Sequence, residues 1–146
     1  MASSGSKLKS VLKIKKLQLK KVQRDLADIT VKRETEEGRL TTLEKAHSSA
    51  LAQAGGTGKK RAADLQVNRA FIENLSGKIK DQTRKVRAAT TREEEKRDEL
   101  LEQSKAKEML LRLDQRREGE EERERERKTQ RVVDVLAQRL RLGTSL

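Results

Sequence analysis

Along the first part of the chain apolar side chains recur at alternating spacings of four and three residues. The series runs Leu8, Leu12, Lys15, Leu19, Val22, Leu26, Ile29, Arg33, Glu36, Leu40, Leu43, His47, Ala50 and Ala54, and ten of its fourteen members are apolar. A mean spacing of about 3.5 residues is the stripe of a left-handed coiled coil, because a repeat slightly shorter than a helical turn keeps facing its partner only if the helices supercoil. A second series follows, Leu65, Asn68, Ile72, Leu75, Ile79, Gln82, Val86 and Ala89, with six of eight apolar. Between the two lies the glycine cluster Gly55-Gly56-Thr57-Gly58. Each glycine costs a helix about 1 kcal/mol relative to Ala, so the spacing predicts a turn rather than a continuous rod. Folding back about position 57 sets the stripes face to face, with Leu43 near Phe71 and Ile72, Ile29 opposite Val86 and Leu26 opposite Ala89.

Past Ala89 the pattern changes. Residues 90–99 are mostly charged, and Leu100, Leu101, Ala106, Met109, Leu110, Leu111 and Leu113 resume with what reads as an altered phase. Residues 114–131 hold fourteen charged side chains out of eighteen, and Val132, Val133, Leu136 and Leu140 then form a last amphipathic segment before Gly143. The predicted fold class is all-α: an antiparallel two-helix coiled-coil hairpin with a longer, overhanging second helix. As a single domain it comprises a flexible N-terminus over 1–6, helix 1 over 7–54, a turn over 55–59 and helix 2 over 60–142, with a charged overhang over 114–142.

Composition supports this and narrows it. Charged residues make up 41% of the 146 and apolar ones 32%, with Phe71 the one aromatic, so the chain is suited to burying a narrow stripe and not a globular core. Proline is absent, which leaves no obligatory helix break. There is no cysteine, as fits a reducing compartment, and no apolar run behind the N-terminal lysines, so neither a secretory signal nor a membrane span is expected. The net charge of +12 is concentrated at Lys7, Lys9, Lys13, Lys15, Lys16, Lys20 and Lys21, ahead of the first acid, Asp25. Such an arm suits nucleic acid, anionic lipid or an acidic protein surface; nucleic acid is the less favoured partner because no groove-reading motif or aromatic accompanies the charge.

Candidate chemistry is sparse. His47 is the only histidine and sits in the stripe, where it reads as a polar interruption. Gly58-Lys59 lacks the first glycine of a phosphate loop, with Gln53 in its place, and Lys60 stands where Ser or Thr is needed. Two helices side by side offer no substrate cavity, so no enzyme activity, cofactor, metal or small-molecule ligand is expected. Phe71 flanks the stripe and is a candidate exposed anchor for a partner, together with Leu75 and Ile79.

The segment Val67-Asn68-Arg69-Ala70-Phe71-Ile72-Glu73-Asn74-Leu75 and the tail Arg131-Val132-Val133-Asp134-Val135-Leu136-Ala137-Gln138-Arg139, with the length and the two unequal helices, resemble the FliJ family of flagellar export stalks and their injectisome counterparts. The resemblance implies a cytoplasmic stalk, peripheral at the inner-membrane export apparatus and similar to a rotary shaft, whose termini enter the pore of an export ATPase hexamer. It implies that Lys13, Lys16, Lys20, Arg123, Arg127, Arg131, Val132, Val133, Leu136 and Leu140 meet the ATPase ring. Phe71 and Leu75 would touch the cytoplasmic domain of the export gate, and export chaperones would be further partners. Lys78 departs from the family, which usually has Ala there. The competing readings are a basic nucleic-acid-binding coiled coil and a structural tether.

Overall fold

The computed structural model describes residues 4–55 and 61–144. Two helices account for nearly all of them: α1 spans Ser4–Ala54 and α2 spans Ala62–Thr144. The helix starts at Ser4, so residues 4–6, expected as part of a flexible lead, are helical. Gly55 follows α1 in a turn, its N–H donating to the Leu51 carbonyl at 3.0 Å; the rest of the expected turn, 56–59, lies outside the described residues. At the opening of α2 the Arg61 carbonyl accepts from the N–H groups of Asp64 and Leu65, and Asp64 places an acid in the first turn, where the helix dipole favours it. Exposed hydroxyls such as Thr35, Thr41 and Thr42 donate to carbonyls four residues back, so their polarity is absorbed within the helix.

The two helices pack against each other as a coiled-coil hairpin, and the chain divides into two compact units, one of Lys20–Leu101 and one that joins Met1–Leu19 to Glu102–Leu146. All fourteen residues of the first stripe are buried or half-buried, as are seven of the eight in the second, Leu65 being exposed. No side chain among the described residues is sealed completely, which is what a seam only two helices thick permits. The best-covered apolar side chains are Leu12, Val22 and Leu75.

The unit formed by 20–101 corrects the expected register. Asp25 pairs with Lys96 at 3.5 Å, Arg33 with Glu93, and the Gln82 side-chain amide donates to the Glu36 backbone carbonyl at 2.9 Å. A fold about position 57 would have set residues 25, 33 and 36 beside about 90, 82 and 79, so their partners lie further along α2 by roughly one to three turns. Side chains lean toward the N-terminus of their own helix, away from the turn in α1 and toward it in α2. A touching pair therefore carries higher numbers on both helices than residues at the same level, and long polar side chains add to the offset.

The expected change of phase after Ala89 does not occur. The buried and half-buried positions continue at the same four–three spacing through Glu93, Lys96, Leu100, Gln103, Lys107, Leu110, Asp114 and Arg117. The repeat is kept while its occupants turn polar. Glu93, only 3% exposed, is held by Arg33 and Arg97, so its charge is compensated inside the seam. Gly77 faces open space: a Cβ there would meet nothing within 4 Å.

Candidate partner-binding surfaces

In the unit 20–101 the start of α2 presents an apolar face. Phe71 is one residue ahead of the seam position Ile72, which places it on the flank of the helix, 54% exposed. Val67, one turn earlier on the same flank, is 67% exposed, and Lys78, two turns beyond Phe71, is exposed as well. Leu75 differs. It lies in the seam at 6% exposure, so of Phe71 and Leu75 only the former is presented outward, and Leu75 holds the helix from beneath. The neighbour of Phe71 on the surface is Val67, which the sequence reading left unassigned although the four-residue spacing marks it.

Two cations of this unit have raised pKa values. The Arg33 guanidinium is held above its ordinary value mainly by its hydrogen bond to Glu93, then by that to Glu37. The Lys96 ammonium lies above the usual 10.5, principally through its hydrogen bond to Glu99 and further through Asp25. Both stay charged across the physiological range and tie the helices electrostatically.

In the other unit the inside is mixed, Leu8, Leu12, Leu19 and Leu110 alternating with Lys15, Gln103, Lys107, Asp114 and Arg117, and the tail is exposed. Gln103 Oε1, Asp114 Oδ1 and Arg117 Nε are buried without a hydrogen-bond partner among the described residues. Lys9 pairs with Glu118 across the two helices at 3.8 Å. From Glu120 to Gly143 every residue is exposed, with Glu124–Lys128 among the pairs four apart. Arg123, Arg127 and Arg131 form an exposed row at four-residue spacing, and Val132, Val133, Leu136 and Leu140 are exposed on one side of α2. Continuing the seam past Arg117 at its own spacing leads to Glu121, Glu124, Lys128, Arg131, Val135, Gln138 and Leu142. The four apolar tail residues lie off that row, so they do not extend the contact with α1. Lys13 and Lys16 are exposed here, and Lys20 is exposed in the other unit.

The arrangement offers exposed helical faces. Its grooves are open to solvent, as in the one between the first turns of α1 and residues 117–130. Among the described residues no group of three or more His, Cys, Asp or Glu is placed to hold a metal ion, and no helix is long and apolar enough to cross a membrane. Four exposed apolar residues near the ends of the hairpin, Val11, Ile14, Met109 and Leu113, were not singled out as a site by the sequence reading; their displacement from the seam spacing is the signal that identifies them.

No curated protein matches the sequence, and no solved structure matches the fold. A family profile, described as "Flagellar FliJ protein", matches residues 4–143 and so takes in both helices. With paired unequal helices and that match along nearly its whole length, the chain belongs to the FliJ family and is a component of flagellar type III protein export.

Proposed function

We propose that this chain is the stalk of the flagellar export ATPase, acting in the cytoplasm at the inner-membrane export apparatus. Its two termini insert into the hexameric ring, and the Phe71 face near the start of α2 contacts the cytoplasmic domain of the export gate. The observation that carries this reading is the exposed end of α2, charged over 120–131 and then amphipathic at Val132, Val133, Leu136 and Leu140. A helix polar on all sides and without tertiary cover is marginal in water, and a surrounding ring supplies the cover it lacks. Many weak, exposed charges also suit a shaft that must be held without locking into one orientation, since each surface pair contributes little.

The test is ATP hydrolysis by the export ATPase with and without the purified chain. The full chain is expected to raise the rate, and a chain ending at Arg131 to lose most of that effect while unfolding in urea at an unchanged midpoint. A full chain that leaves hydrolysis and hexamer formation unaltered would overturn the reading.

A further inference from the structure

We propose that one flank of the segment formed by residues 4–19 and 102–117 is a docking groove for a single amphipathic helix with acidic flanks, supplied by another protein. In heptad letters, with the seam at a and d, an antiparallel pair brings e against e on one side and g against g on the other. The Lys9–Glu118 ion pair, at 3.8 Å, joins two e positions and so identifies the first side. The g positions on the second side are Val11 and Gln18 of α1 and Ala106 and Leu113 of α2, which carry no charge. The neighbouring c positions Ile14 and Met109 widen the same side, with Met109 73% and Leu113 52% exposed. One side of the segment thus carries an exposed cross-helix ion pair, and the other is an uncharged strip contributed by both helices.

The seam of this segment is mixed, with Leu8, Leu12, Leu19 and Leu110 sharing it with polar side chains. The polar occupants are Lys15, Gln103, Lys107, Asp114 and Arg117, while Val11, Ile14, Met109 and Leu113 stand outside. Exposed apolar side chains grouped across two helices, next to a seam with unsatisfied polar atoms, mark a surface completed by a third element. A helix laid along the strip would extend the pair to three strands.

Charge selects the occupant. The positions bordering the strip hold Lys7, Lys105, Arg112 and Arg116 against Glu102 and Glu108, and Glu108 is engaged by Arg112 at 2.8 Å. The border is basic, so the incoming helix is acidic on its flanks. A second copy of this chain would bring the same basic border against itself on a molecule of net charge +12, which disfavours self-association through this face. The inference stands on the side-chain pattern whichever protein supplies the helix, so it and the ATPase reading fail independently.

The experiment uses the full chain and two fluorescein-labelled synthetic helices with the same leucine stripe, one flanked by Glu and one by Lys. In anisotropy titrations the Glu-flanked peptide is expected to bind, and to bind more weakly as salt rises, while the Lys-flanked peptide does not. Met109→Lys, Leu113→Lys and, from the other helix, Ile14→Lys should each weaken binding at least about tenfold, a loss near 1.4 kcal/mol. Leu101→Lys, exposed but off the strip, should leave it unchanged. Circular dichroism of each variant separates lost binding from lost helix, and the two-helix design guards against one variant misfolding. No binding of the Glu-flanked peptide to the native chain, or equal binding to all variants, would overturn the groove. Sedimentation that finds a dimer dissociated by Leu113→Lys would assign the face to a second copy and overturn the proposed occupant.

Discussion

Truncating Leu75 and Phe71 to Ala in turn asks whether the stripe residue and its flanking neighbour have the separate roles the structure gives them. Leu75 is 6% exposed and sits at a seam position, so Leu75→Ala removes most of a buried side chain. Buried Leu→Ala changes cost about 2–5 kcal/mol, the range reflecting how far the surroundings collapse into the void. A seam two helices thick opens to solvent on both sides, which limits the cavity term, and places this change near the lower end at about 2–3 kcal/mol. Phe71 keeps 54% of its surface in water, so Phe71→Ala gives up only the covered part, about 1 kcal/mol. Urea unfolding followed by circular dichroism at about 222 nm reads the helical signal directly, and the shift in midpoint at constant slope reports the stability change. The ordering is the sharp part: Leu75→Ala must cost clearly more than Phe71→Ala. Equal costs, or a Leu75→Ala change below about 0.5 kcal/mol, as at unremarkable surface sites, would mean that the seam does not run through Leu75.

Gly77→Ala should stabilise the chain by about 0.5–1 kcal/mol in the same urea assay, because the added methyl meets nothing within 4 Å and Ala loses less backbone entropy in a helix. Stability should also fall at alkaline pH. Lys96 has a folded pKa above its ordinary 10.5, so its contribution is fully present below 10.5 and lost as pH rises through the folded value. The urea midpoint of the native chain should therefore drop more steeply above that pH than the midpoint of Lys96→Met.

The helices and their facing stripes were legible in the sequence because a repeat near 3.5 residues has one structural meaning and a cluster of three glycines has another. Thirteen residues from Leu8 to Ala50 and the one at Ala54 stand in the seam where the spacing put them, including the polar Lys15, Arg33, Glu36 and His47. What misled was occupancy. From Glu93 onward polar side chains outnumber Leu100 and Leu110 in the seam, and a reading that follows apolar residues loses the row and picks up Met109 and Leu113, which lie outside it. Glu93 is a seam residue because Arg33 and Arg97 reach it, and that compensation depends on the other helix as well as its own. The offset in register was hidden for a related reason: it arises from the lean and length of side chains, which position numbers do not carry. At the candidate sites Phe71 was recognisable by its rarity and its place one residue off the stripe. The same place, read for Leu75, already put it in the seam, where it is unavailable to a partner.

The mixed seam and the exposed apolar strip of the segment at 4–19 and 102–117 belong to one energetic arrangement. Polar occupants weaken this part of the hairpin, and Val11, Ile14, Met109 and Leu113 contribute little to it while they remain in water. Covering four side chains that are between 42% and 73% exposed offers roughly 1 kcal/mol each, about 4 kcal/mol in sum. That is of the same order as the loss of translational and rotational freedom on association, so the apolar strip alone cannot hold a partner tightly. Recognition then falls to the basic border, whose contribution is steering and selection more than adhesion. A contact with these proportions forms quickly, discriminates by charge and releases readily.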